Sequence, residues 1–112
     1  MQQLLHSLNS NTGYEFCIKS YDGWKLTLYS GMSLEYARPI ASFVGVSYIS
    51  CASEFQHATF RLASDSERQE VGTLVPLDTE DWVVAIEAET MANRGRQLFL
   101  LAVSGLELPS CG

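Results

Sequence analysis

Six short segments rich in β-branched and aromatic residues, separated by turn residues, are the feature that most constrains the fold of this 112-residue chain. Segments of this length and composition are typical of β-strands. Because little of the remaining sequence has a helical pattern, we expect a mainly β fold, with an α+β arrangement as the alternative. The prediction is about six mostly antiparallel strands in a curled sheet or partly open barrel, with one or two short helices. The six segments are residues 14–20, 24–30, 42–51, 59–63, 81–89 and 97–103.

The dipeptide Asp22-Gly23 is the strongest local signal, because it lies between the first two strand segments. Asp-Gly suits a two-residue type I′ turn, in which both central residues need a positive φ. Such a turn predicts a hairpin in which Cys17 pairs with Leu28. It also leaves both faces of the hairpin partly apolar.

Two helices are predicted from local patterns. Leucines at helical spacing indicate a short amphipathic helix over residues 2–9. The sequence Ser64-Asp-Ser-Glu67 fits a capping box, and it begins a short polar helix that we expect to end at Gly72.

The segment 98–103 is apolar on both faces, which a strand exposed to water on one side would not be. We expect its second face to be covered by the helix at 2–9, by a helical turn at 33–38 or by a second subunit. A homodimer is therefore one expectation. In the neighbouring segment 81–89, strict alternation places Trp82 on the core side of its strand.

The three cysteines are an odd number at long spacings, without a CxxC pair, so neither a disulfide framework nor a zinc cage is indicated. The beginning of the chain lacks the pattern of a signal peptide. We expect one domain, 1–112, in the cytoplasm.

Negative charge is concentrated in residues 65–89, which contain eight acidic residues and one basic residue, Arg68. The net charge of this segment is −7. An acidic surface repels nucleic-acid backbones and anionic membranes, and it attracts basic proteins. The expected partner is therefore a protein, possibly a basic one, with no nucleic acid and no membrane.

Three groups of residues in the sequence are candidate chemical sites. Cys51, Glu54 and His57 resemble a thiol with a base or part of a metal site, but proximity in sequence supplies neither a third orienting group nor enough ligands. The alternation of Glu87 and Glu89 is typical of a solvated strand face rather than of a glycosidase pair. The acids of residues 78–81 lack the pattern of an EF-hand. We expect no catalytic residues, no metal site and no cofactor, although a site built from distant residues would leave no local pattern.

The preferred function is a non-catalytic protein-interaction module, such as a small accessory, inhibitor or immunity-like factor, that presents an acidic surface to a protein partner. The alternative is a small-molecule-binding β-barrel domain, or a small enzyme with a site built from distant residues. Tyrosine is enriched at interfaces, so we also predict that two tyrosines of the first hairpin contact the partner, in addition to the acidic residues. The predicted partner-binding residues are Asp78, Glu80, Asp81, Glu87, Glu89, Tyr14 and Tyr29.

Overall fold

A computed structural model of the chain describes residues 1–11, 15–30, 38–90 and 95–108. Within these ranges it has two helices and one eight-stranded antiparallel sheet, with the strand order β4-β7-β6-β5-β1-β2-β3-β8. The elements are α1 (Gln2–Asn11), β1 (Glu15–Tyr21), β2 (Lys25–Ser30), β3 (Arg38–Val44), β4 (Tyr48–Ser50), β5 (Glu54–Leu62), α2 (Asp65–Gly72), β6 (Trp82–Glu89), β7 (Gln97–Val103) and β8 (Gly105–Glu107).

The mainly β class, the curled antiparallel sheet and the two short helices are confirmed, but the count of six strands is wrong. The predicted strand 42–51 bends at Gly45, where φ is 64°, and divides into β3 and β4. The last strand continues past Ser104 as β8. The two bends meet, since Ser104 N–H donates to the Val44 carbonyl at 2.8 Å. In the described part of the chain β4 and β8 do not pair with each other, so the sheet is curled and not closed into a barrel.

The inner side of the curled sheet contains the main core. Phe16 and Phe55 stack with their ring centroids 5.5 Å apart, and Phe60 meets Phe16 edge-on at the same distance. Helix α1 closes over this side with Leu5 and Leu8, which confirms the helix predicted at residues 2–9.

Asn9 attaches α1 to the sheet through a bidentate contact with the backbone N–H and carbonyl of one residue of β5, Phe60. Its side-chain amide donates to the Phe60 carbonyl at 2.7 Å, and its oxygen accepts the Phe60 N–H at 2.9 Å. Because β1 pairs with β5 only over residues 15–17, Asn9 satisfies backbone groups that a neighbouring strand would otherwise pair with.

Among the described residues, the outer side of β6 and β7 is covered by α2, which is not one of the three candidates that the sequence suggested. Val71 of α2 is fully buried against Val83 and Ala85 of β6 and against Leu100 and Ala102 of β7. One apolar residue in a polar helix is a weak sequence signal, which explains why this cover was missed. The predicted capping box is present, since Ser64 Oγ accepts the Glu67 N–H and the Glu67 carboxylate accepts the Ser64 N–H.

The predicted register of the first hairpin is wrong. Asp22 is not a central residue of the turn: its N–H donates to the Lys25 carbonyl at 3.2 Å, and its carboxylate accepts the N–H groups of Trp24 and Lys25 at 2.9 and 2.7 Å. Tyr21 therefore pairs with Leu26 instead of Trp24, a shift of two residues. A bulge between Ile18 and Ser20 takes one residue back, so Cys17 pairs with Tyr29 rather than with Leu28. This shift by one residue moves Leu28 to the core side of the sheet.

Trp82 was expected in the core, but its side chain is 39% exposed. The alternation of its strand is as predicted, since Val84, Ile86 and Ala88 are buried on the core side. Trp82 is the first residue of β6, so it lies at the end of the core rather than within it.

Two expectations fall on residues outside the described ranges: Tyr14, and the helical turn at 33–38, of which only Arg38 is described, as the first residue of β3. Among the described helices, none is long and apolar enough to cross a bilayer.

We predict that Gly45→Ala destabilises the fold by about 2–4 kcal/mol in urea unfolding. A left-handed backbone costs about 1–2 kcal/mol for a residue with Cβ. The added methyl group would also lie 2.1 Å from Ser104 Oγ, which adds overpacking strain.

Gly23→Ala is the matched control, because Gly23 also has a positive φ but nothing lies within 4 Å of an added Cβ. We expect it to cost only the backbone strain, and we expect Ser104→Gly to rescue part of the Gly45→Ala loss. Equal losses at the two glycines would contradict the close approach of the two bends.

Candidate functional site

Four carboxylates lie together on the outer side of the sheet, beyond the area that α2 covers. Glu15 pairs with Gln56, and Gln56 pairs with Glu89, so the three side chains form one row across β1, β5 and β6. At the usual strand spacing, Glu15 and Glu89 are about 10 Å apart between Cα atoms. We call this surface the acidic face; its carboxylates are Glu15, Glu54, Glu87 and Glu89.

A second row brings one predicted tyrosine to this surface. Cys17 pairs with Glu54 of β5 and with Tyr29 of β2. Tyr29 therefore lies two strands from Glu54, about 10 Å away, on the same outer side. The half-buried ring is an aromatic neighbour for the acidic face.

The arginines beside the acidic face are used to hold the fold. Arg61 forms a bidentate pair with Glu67 at 2.8 and 2.9 Å, and its Nη2 is 3.6 Å from Glu87 Oε1. Arg96 donates to the backbone carbonyls of His57 and Glu87. Among the described residues, no ion pair includes Glu15 or Glu54.

His57 marks an irregularity in β5 at the edge of the acidic face. Its φ is 53°, which is rare for a residue with a side chain, and the pairing of β5 with β6 shifts by one residue between Gln56 and Thr59. The imidazole Nε2 lies 4.0 Å from Glu89 Oε2. The Arg96 contact with the His57 carbonyl holds this bulge in place.

The predicted partner-binding acids are divided between two places. Glu87 and Glu89 belong to the acidic face, whereas Asp78, Glu80 and Asp81 lie before β6 at the opposite end of that strand, about 20 Å away along the chain. There, Arg68 donates to the Asp78 and Asp81 carbonyls at 2.9 and 2.7 Å.

Cys51 and His57 do not form a nucleophile and base. Burial raises the pKa of the Cys51 thiol to about 12, and the thiol donates to the Ala52 carbonyl at 3.2 Å. Cys51 packs against the main core, whereas the His57 side chain is 54% exposed. Within the described ranges, no three side chains of the metal-ligating types come close enough to hold a metal ion.

The concave places that we find lie outside the main core. One cleft of about 290 Å³ runs between α1 and β5, and its polar lining includes His6, Asn9 and Arg61. Asn9 and Arg61 are already engaged with Phe60 and Glu67. The cleft therefore offers a ligand few polar groups that are not already used.

Glu15 and Glu54 belong to the acidic face but were not among the predicted binding residues. Residues 52–58 were interpreted as a loop, so Glu54 and its neighbours in β5 were not placed on the sheet beside Glu15. The signal that could have found them is the pair Phe55 and Phe60. Residues five apart lie on opposite faces of a regular strand, so two inward phenylalanines at this spacing require a bulge between them.

No protein-family model matches the chain, and neither a curated protein nor a solved structure matches it.

We predict an acid-sensitive contribution to stability from Glu67. Hydrogen bonds from Arg61, and then from the Ser64 N–H, lower the pKa of this carboxyl from 4.5 to about 2. Because the folded-state pKa is depressed, the contribution is complete above the unfolded-state value of 4.5 and is lost as the pH falls toward 2.

Urea unfolding of wild type and Glu67→Gln at pH 7 and pH 3 measures this contribution. The wild type should be more stable at pH 7, and the difference should shrink at pH 3. Glu70→Gln, which changes an exposed carboxylate of the same helix, should show little pH-dependent difference. A difference for Glu67→Gln that is the same at both pH values would contradict the assignment.

Proposed function

We propose that this chain is a non-catalytic, cytoplasmic protein-interaction module whose acidic face binds a basic protein partner. The observation that carries the proposal is the grouping of Glu15, Glu54, Glu87 and Glu89 on one side of three adjacent strands. Neither nucleic acid nor a membrane is part of the proposal, because both are anionic.

The support is electrostatic. The chain has a net charge of −6, and the two arginines described beside the acidic face, Arg61 and Arg96, donate to Glu67 and to backbone carbonyls. A concentrated negative potential attracts a basic partner over distances of about 10 Å and raises the association rate, most strongly at low ionic strength.

Tyr29 adds a contact of a different kind. Tyrosine combines a large apolar ring with a polar hydroxyl, and it is enriched where proteins meet. Its position two strands from Glu54 places an aromatic contact beside the charges, so one partner can reach both.

A homodimer remains a second proposal. It was inferred from strands that are apolar on both faces and therefore need to be covered on both sides. For β6 and β7, α2 covers the second face. The proposal therefore applies only to the outer side of β1, β2 and β3. Sedimentation equilibrium tests it directly, with a mass of one protomer as the contradicting result.

We predict that the variant Glu54→Gln/Glu89→Gln slows association with a basic partner. The experiment recovers proteins that bind the wild type, produces the recovered partner, and measures its association rate at 20 and 150 mM salt. We expect the rate for this variant to fall about fivefold or more at the lower salt, and by less at the higher salt, because screening weakens the attraction.

The matched control is Asp65→Asn/Glu70→Gln, which removes the same two charges from α2. Its association rate should stay within about twofold of wild type. If both double variants slow association equally, only the net charge matters, and the assignment to the acidic face is wrong. If the face variant leaves the rate unchanged at low salt, the proposed function is wrong.

A further inference from the structure

Exposed aromatic side chains are concentrated at the end of the sheet that is remote from the acidic face. Trp24 is 60% exposed, Tyr21 47% and Trp82 39%, and they are the three exposed aromatics among the described residues. Large exposed aromatics on one surface usually mark a place of contact. We call this surface the aromatic end.

The strand pairing brings the two tryptophans to the same rim. The Trp24 carbonyl accepts the N–H of Val46, which lies at the bend between β3 and β4. That bend meets the bend after Val103, and Val103 pairs with Trp82. Three strand spacings therefore separate the tryptophans, about 15 Å between their Cα atoms.

Acidic side chains flank the tryptophans on both sides. Asp22 is next to the Trp24 turn, and hydrogen bonds from the Lys25 and Trp24 N–H groups lower the pKa of its carboxyl. Before Trp82, the turn of residues 78–81 carries Asp78, Glu80 and Asp81.

The bases at this end are engaged. Lys25 lies 3.6 Å from Glu107, and the Arg68 guanidinium is bound to the carbonyls of the 78–81 turn. This end of the sheet therefore carries five acidic residues, one of which is Glu107, and two basic residues. A basic partner therefore matches the charge.

We propose that the aromatic end binds an arginine-rich segment of a protein partner, with guanidinium groups stacked on Trp24 and Trp82 and paired with the flanking carboxylates. Guanidinium is the cation most often found on aromatic faces, and indole is the best acceptor for it. Lysine, which is more strongly hydrated, fits the same charge but stacks less well. The inference rests on the proposed function in assuming a basic protein partner, and it adds a second contact surface.

The test uses fluorescein-labelled nona-arginine and nona-lysine as probes, titrated with the full chain at 20 mM salt while anisotropy is recorded. Because the chain has only two tryptophans, tryptophan emission excited at a wavelength that tyrosine does not absorb reports on this surface alone. We expect nona-arginine to bind more tightly than nona-lysine and to change the tryptophan emission.

The variants separate stacking from charge. Trp24→Leu keeps an apolar side chain but removes the aromatic face, and it should weaken nona-arginine binding about two- to fivefold. Trp24→Leu/Trp82→Leu should weaken it roughly tenfold and abolish the preference over nona-lysine. Trp82→Met, which keeps a large apolar side chain but no ring, replaces Trp82→Leu if the latter unfolds. Leu98→Ala, which changes an exposed apolar residue at the other end of β7, should bind as wild type does.

Two results overturn the inference: an absence of binding, or equal affinity of wild type and the tryptophan double variant for nona-arginine. The proposed function is tested separately by Glu54→Gln/Glu89→Gln. If only this variant weakens binding, the acidic face is the contact and the aromatic end is not. If only the tryptophan variants weaken binding, the aromatic end is supported and the proposed role of the acidic face is wrong.

Discussion

The bulge in β5 is the constraint on which most of the structure depends. One additional residue between Gln56 and Thr59 allows Phe55 and Phe60 to face the same side, where both pack in the main core. Without it, one of the two rings would be turned to the outer side, and burying a phenylalanine is worth several kcal/mol. The positive φ of His57 is the local cost of this arrangement.

Three side chains from different elements hold β5 in that conformation. Asn9 of α1 binds the Phe60 N–H and carbonyl, Arg96 binds the His57 carbonyl, and Arg61 within β5 binds Glu67 of α2. These contacts occupy Arg61 and Arg96, the two arginines beside β5 whose side chains the structure describes. Among the described residues Glu15 and Glu54 form no ion pair, so the interactions that fix the strand leave these two carboxylates of the acidic face to a partner.

The sequence was sufficient for features that depend on local pattern. The capping box at Ser64, the amphipathic α1 and the alternation of β6 are each determined by residues close in the chain. The sequence was insufficient for features that depend on contacts between residues far apart in the chain. The bend at Gly45 depends on the approach of Ser104, and the cover of β6 and β7 depends on Val71, from an otherwise polar helix, together with Val75 and Leu77.

The candidate site was predicted only in part, for the same reason. Glu87 and Glu89 could be placed on one face by alternation alone. Their grouping with Glu15 and Glu54 depends on the β5 bulge, which regular alternation does not reveal. The separation of Asp78 and Asp81 from Glu89 follows from the length of β6, because residues within one acidic stretch of sequence can lie at opposite ends of a strand.

The most direct test of the β5 register is solution NMR of the labelled chain, with cross-strand nuclear Overhauser effects between β5 and β6. We expect contacts that pair Thr59 with Glu87 and Phe60 with Ile86, and a further set that links Gln56 to both Glu15 and Glu89. A regular ladder, with Ala58 opposite Glu87 and Phe60 opposite Ala85, would contradict the bulge. It would also remove the physical basis for the main core and for the acidic face.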